Sequence, residues 1–308
     1  MTKPPKNALR TRIVNNIPLA IMCLPAAIYM FCFCYMPMFG VVIAFKDYNY
    51  VDGILGSPWV GFEHFKFFFE SNEAALLLRN TILYNVLFIL LGTFLKVLVA
   101  ILLYEITSRV ALKAYQTSII LPNFISWVLV AYIGYALFSS ETGMLNAILN
   151  NLGKQDIQWY SEPKYWPYIL TIFEMWMGVG MGCIIYYAAL MAVDKSLYEA
   201  AEIDGANRFK QITSISIPTI LPTICILLIM SVGGILGGDF GLFFQLPRNS
   251  GALYPVTDVI STYVYRGLTS GEMSSTAAIG LFQNAVGLVL TLGTNLFVKK
   301  VNPENAMF

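Results

Sequence analysis

Charged residues are scarce in this chain: Asp, Glu, Lys and Arg make up 12% of its 308 residues, about half the share usual in soluble domains. With 57% apolar content and a mean hydropathy of +0.65, a membrane protein is the first expectation. The chain has one histidine, His64, which excludes a multi-histidine metal cluster built from this chain alone. A catalytic triad around His64 has no evident partners, so hydrolytic chemistry by that route is not expected. Five cysteines (Cys23, Cys32, Cys34, Cys183 and Cys225) fall in apolar stretches without the spaced Cys/His pattern of a zinc site, and read as small apolar fillers. A net charge of +1 supplies no basic field for nucleic acid. No G-x-x-x-x-G-K-[ST] phosphate loop occurs, so the chain does not itself cradle ATP in the usual way. Neither a catalytic residue nor a metal ligand is assigned.

What is present is a set of long apolar runs. A bilayer core of about 30 Å needs roughly 20 apolar residues as helix, because backbone groups in lipid must be satisfied within the segment. Six segments qualify, at about 17–45, 79–104, 115–138, 165–191, 212–236 and 277–298. The fold class is therefore all-α, a polytopic protein with six transmembrane helices. Lys3, Lys6, Arg10 and Arg12 precede the first run and resemble the start of a signal peptide. That run is too long for a cleaved core and lacks a clear cleavage site, so it should remain as an anchor. Pro25 and Pro37 predict kinks or an early end within it.

Orientation follows from the basic residues in the connections. Four in the amino-terminal tail, two in 105–114, three in 192–211 and two in the carboxy-terminal tail place eleven on one side. The other side holds seven, spread over three longer connections, so both termini are expected to be cytoplasmic. The stretch 46–69 reads as an ordered external segment with an amphipathic piece near 62–69, either a surface for a partner or an aromatic interfacial belt. Lys96 and Glu174 lie farthest inside predicted helices and read as snorkelling or pore-lining groups; nothing in the sequence pairs them.

The most informative segment lies between the fourth and fifth runs, SLYEAAEIDGANRFKQITSISIP at 196–218. Ser196 followed by Glu199 predicts a capping box at the start of a short helix. Gly205 is placed to end that helix in a left-handed turn. Phe209, Ile212 and Ile215 then recur at helical spacing, predicting an apolar face against the bundle with Arg208 and Lys210 in water. Pro218 and Pro222 are expected to mark the entry to the fifth span. The reading is helix, sharp turn, helix.

These residues resemble a known signature: Glu199, Ala200 and Ala201, then Gly205, then nine residues to Ile215 and Pro218. The pattern is similar to the EAA motif of permease subunits of bacterial binding-protein-dependent ABC importers. The version with Asp204, Gly205 and Ala206 resembles the carbohydrate-uptake branch. Shared words at 35–49, 57–61 and 257–266 resemble a subgroup for oligosaccharide or polysaccharide uptake. Ile217 stands where the signature usually has leucine. The resemblance covers about 79–298, with 1–78 as amino-terminal tail, first span and external segment, the motif loop at 196–222, and a cytoplasmic tail at 299–308.

The resemblance implies a type I importer permease in the bacterial cytoplasmic membrane. It implies a coupling helix centred on Glu199 to Gly205, docking on an ATP-binding subunit. It further implies two such ATPases using ATP and Mg, no cofactor bound by this chain, an extracytoplasmic solute-binding protein, and a second permease, related rather than identical. Candidates for the substrate path are Trp127, Tyr132, Glu174, Trp176, Gln283 and Asn284, which offer aromatic faces and polar groups in or near spans. The GGILGG run at 233–238 would break the fifth helix beside the path or permit close helix packing. The alternative is a secondary transporter or channel not coupled to ATP, which predicts paired intramembrane charges or inverted repeats.

Overall fold

The computed structural model describes residues 6–301, and every named element among them is helical. Lys3 and the 302–308 part of the carboxy-terminal tail lie outside the described residues. The first described element is α1 (Lys6–Met30), continued by a π-helical stretch Phe31–Tyr35 and a 3-10 stretch Met36–Phe45. The helix passes through Pro25 and changes pitch around Pro37, which has no N–H to give the preceding turn. Two short helices follow, α2 (Gly53–Gly56) and α3 (Glu63–Glu70), then α4 (Asn72–Tyr104). α3 occupies the stretch where an amphipathic piece is predicted, and His64 there donates from Nε2 to the Lys46 carbonyl and bonds through Nδ1 to the Ser275 hydroxyl, far along the chain.

α5 (Arg109–Ile120) and α6 (Trp127–Phe138) replace the single straight span expected over 115–138; the two are bent by 96°. The reason is local chemistry. Pro122 ends the hydrogen-bond ladder, Ile125 is extended, and the Ser126 hydroxyl accepts the Leu129 N–H, starting a new helix. α7 (Met144–Asn151) then leads to α8 (Trp166–Met191), whose first turn carries Pro167, where a missing N–H costs nothing.

Beyond α8 come α9 (Lys195–Ile203), α10 (Arg208–Gln211) and α11 (Ile217–Gly233), with a π-turn Ile212–Ser216 joining the last two. The fifth span therefore starts at Arg208, and Pro218 and Pro222 lie inside it rather than at its entry. α12 (Tyr254–Thr257), α13 (Ile260–Ser270) and α14 (Met273–Val301) are the last described elements. Among the described residues, five helices are long and apolar enough to cross a membrane, six if the bent pair counts as one.

α4 packs along α8, α5 lies against α8, and α11 packs against α14. Small residues permit this closeness, as is usual where lipid removes the hydrophobic drive between helices. A Cβ on Gly180 would overlap the Ile119 backbone carbonyl, and one on Gly233 would overlap the Thr291 hydroxyl. Tyr84, Trp166, Phe173, Phe243 and Leu246 build one core cluster, and Ala100, Leu103, Tyr186, Leu190 and Ile220 another towards the α9 end. The first span stands apart: it meets α14 through Met36–Phe45, and 6% of its apolar window is buried, so its surface is available to lipid or another subunit.

Candidate functional site

The α9 loop is built by three caps. The Asp194 carboxylate accepts the Ser196 N–H at 3.0 Å, so the helix starts at Asp194 and the capping box predicted at Ser196 and Glu199 does not form; Ser196 is already inside the helix. The same bonds from Ser196 hold the Asp194 carboxyl below its ordinary range. Gly205, with φ +77°, ends α9, its N–H reaching the Glu202 carbonyl at 3.0 Å while the Ala206 N–H reaches that of Ala201 at 2.9 Å. The Asn207 side chain then caps α10 by accepting the Lys210 N–H.

The helix–turn–helix matches the expectation, with Ile212 packed on the bundle and Arg208 and Lys210 exposed, but Phe209 does not join the buried face. Phe209 is 75% exposed, and Gln211 takes the inner position at 3%, donating to the Ala206 carbonyl and accepting from Arg208. Periodicity marked the correct spacing, but a buried amide with both ends satisfied displaced the phenylalanine. The loop is braced to the bundle on two sides. Tyr198 shares a hydrogen bond of 2.9 Å with Ser216, and its ring lies against Tyr104. Arg208 bridges Glu202 at 3.3 Å and Glu105, at the end of α4, at 3.9 Å. Glu199, Ala200, Asp204 and Gly205 remain exposed, Ala201, Ala206 and Ile215 are half-buried, and Pro218 is exposed. Ile203, at 88% exposure, and Phe209 leave apolar surface at the tip of this loop.

A second constellation surrounds the break after α11. The chain leaves the helix at Gly233 and runs irregularly to Asp239 before a π-turn Gly241–Gln245, so the glycine run both ends the helix and permits close approach. A Cβ on Gly287 would press on the Gly233 carbonyl, and one on Gly241 would overlap the Trp127 side chain. Asp239 is exposed and accepts the Trp127 indole N–H at 2.7 Å. Glu174, half-buried on α8, lies within electrostatic range of both Asp239 and Lys96. The Lys96 stem packs over Gly182. Asn85 donates to the Gly237 carbonyl at 2.8 Å, and Gln283 approaches the same glycine.

The structure thus brings Trp127, Glu174 and Gln283 to one polar junction. Asn284 is turned elsewhere, its amide donating to the Gly280 carbonyl in its own helix. Trp176, two residues from Glu174 and so on another face of α8, packs edge-on against Phe173. Tyr132 lies apart, beside Tyr135 and Arg248 in a cavity of about 340 Å³. Asp239, Asn85 and Arg248 are absent from the sequence-based candidates. A carboxylate directly after a glycine pair in a broken span was the available signal for Asp239.

Comparison with known proteins agrees with this architecture. The family model described as binding-protein-dependent transport system inner membrane component matches residues 7–303, beyond the 79–298 of the motif-based resemblance. Protein LplB of Bacillus subtilis (strain 168) is 36% identical over 287 residues, 93% of this chain and 90% of LplB. The polygalacturonan/rhamnogalacturonan transport system permease protein YteP of the same organism is 36% identical over 303 residues, 98% of this chain and 94% of YteP. A chain in the crystal structure of a bacterial ABC transporter involved in the import of the acidic polysaccharide alginate superposes with a TM-score of 0.87 at 34% identity, covering 96% of this chain and 99% of that one. With its helical architecture, motif loop and near full-length match together, this chain belongs to the family of binding-protein-dependent transport system inner membrane components.

Proposed function

We propose that this chain is one of two permease subunits of an ATP-driven importer and that its α9 loop docks on an ATP-binding subunit. Together with a second, related permease it forms the path for an oligosaccharide delivered by an extracytoplasmic binding protein. Both termini and the α9 loop lie on the cytoplasmic side, in keeping with the excess of basic residues there. The observation that carries the reading is the geometry of the loop. The loop is held to the bundle by Tyr198–Ser216 and by Arg208 between Glu105 and Glu202, yet it presents Glu199 and Ile203 of α9 and Phe209 of α10 outward. A stiff lever with an unpartnered apolar tip suits transmission of a partner's movement into α8 and α11, which flank it in sequence.

The carbohydrate assignment is supported by the substrates of relatives, polygalacturonan/rhamnogalacturonan for YteP and alginate for the structural neighbour. The delivery step is supported by a second superposing structure, the alginate transporter in complex with an alginate pentasaccharide-bound periplasmic protein, with TM-score 0.85. Within the membrane, the polar junction of Trp127, Glu174, Asp239 and Gln283 beside the broken α11 is the place where a hydroxyl-rich solute would be met. ATP and Mg²⁺ act on the partner subunits.

Co-purification tests this directly. The ATPase is expected to be retained by wild type and lost from variants such as Glu199→Arg and Gly205→Val, with ATP hydrolysis falling in parallel. An ATPase that remains bound to both variants would overturn the docking assignment.

A further inference from the structure

A feature outside the α9 loop and the polar junction has the chemistry of a ligand site. Arg248 and Asn249 both occupy left-handed backbone conformations, with φ 55° and 49°, which residues other than glycine rarely adopt. The pair is fixed by backbone bonds from Arg248 N–H to Gln245 and from Asn249 N–H to Phe244, and the Tyr254 hydroxyl donates to the Asn249 side chain at 3.0 Å. Consecutive strained residues held by several bonds are commonly kept for what they position. Here they place the Arg248 guanidinium over the Tyr135 ring, 4.2 Å from its centroid.

Arg248 forms the wall between two cavities. The first, of about 340 Å³, is lined by Tyr132, Tyr135, Phe244, Gln245 and Asn249, with no acidic side chain in its lining. The second, of about 420 Å³, is lined by hydroxyl and amide groups including Ser139, Gln158, Tyr160 and Ser250, and by Glu141. Among the described residues no carboxylate pairs with Arg248. Among the described residues the buried Tyr160 hydroxyl has no hydrogen-bond partner. Burial pushes that phenol up to about 12, with the Arg248 charge acting the other way, so it is a neutral donor at physiological pH.

Aromatic faces, amides and a cation without a carboxylate are the means by which a protein holds a sugar acid: rings against the pyranose, amides to hydroxyls, a guanidinium fork to the carboxylate. Glu141 disfavours a second anion in the cavity it lines, so the carboxylate belongs in the acid-free cavity and the uncharged part of the chain along the other.

Resting on the carbohydrate reading above, we propose that the two cavities joined by Arg248 form a subsite selecting acidic over neutral sugar chains, with Arg248 binding the carboxylate and Tyr132, Tyr135 and Phe244 supporting the ring. The importer, as permease pair with its ATPases in nanodiscs and without binding protein, is tested by equilibrium dialysis with a labelled uronic-acid pentasaccharide and its fully methyl-esterified form. Wild type is expected to prefer the free acid by roughly tenfold or more, the scale of a charge-assisted bidentate contact. Arg248→Gln should bring the preference close to one, and Arg248→Lys should fall between, since the charge remains without the planar fork. Equal affinity of wild type for the two probes, or an unchanged preference in Arg248→Gln, overturns the subsite while leaving the carbohydrate reading intact. Wild type binding neither probe overturns both.

Discussion

Replacing Gly205 isolates backbone conformation from contact. Its φ of +77° is a left-handed value, and a Cβ built there meets no atom within 4 Å, so nothing in this chain obstructs a side chain. The cost is then the intrinsic penalty of placing an L-residue in that region, about 1–2 kcal/mol, more for a β-branched residue. Two hydrogen bonds depend on the turn, Gly205 N–H to Glu202 and Ala206 N–H to Ala201. At about 1.4 kcal/mol per factor of ten, the preference for the turn falls roughly 5- to 30-fold. Asparagine tolerates the left-handed region better than other non-glycine residues, so the expected order of uptake is Gly, Asn, Ala, Val. The assay is ATP-dependent uptake by proteoliposomes holding equal amounts of intact complex, with helical content checked by circular dichroism. Wild-type uptake by Gly205→Val would refute the reasoning. So would Gly205→Asn being as impaired as Gly205→Val, because the loss would then follow bulk at the docking surface rather than φ.

Three further substitutions probe other parts of the account. Asp258, 8% exposed, accepts from the Thr262 hydroxyl at 2.6 Å and pairs with Arg266. Asp258→Ala should destabilise by about 2 kcal/mol, below the range for deeply buried pairs because the Arg266 side chain keeps 27% exposure, and a thermal melt of the purified protein should show the drop. Gly180→Val should cost about 1–3 kcal/mol by forcing α8 away from the Ile119 carbonyl, read as a lower melting temperature; an unchanged melt would contradict that close approach. Asp239→Asn keeps one oxygen where the carboxylate now accepts both the Trp127 and the Leu242 N–H, so stability should fall by only about 1 kcal/mol while oligosaccharide uptake changes several-fold, and unaltered uptake would remove Asp239 from the path.

Much of the fold was legible because a bilayer imposes length and hydropathy so strictly. Glu73–Tyr104, Pro163–Met191 and Met273–Lys300 overlap the predicted spans, exceeding them mainly at their ends, where polar first turns still continue the helix. The bend between α5 and α6 was hidden in a continuous apolar run, although Pro122 and Ser126 supplied the stop and the cap. In the α9 loop the glycine stop was readable from local chemistry, since φ at Gly205 concerns one residue. Which residue turned inward was not: Gln211 wins over Phe209 through bonds to Ala206 and Arg208 that only the folded turn provides. The same holds for the polar junction. Trp127 and Asp239 are far apart in sequence, and their bond exists because Gly241 lets the chain lie against the Trp127 ring.

The central claim, transport coupled to a partner ATPase through the α9 loop, is tested most directly by oligosaccharide uptake into proteoliposomes containing the permease pair, its ATPases and the binding protein, with all ion gradients dissipated. The account predicts accumulation that requires hydrolysable ATP and disappears in Gly205→Val. Uptake that proceeds without ATP hydrolysis, or that follows an imposed ion gradient, would contradict it and make this chain a secondary carrier.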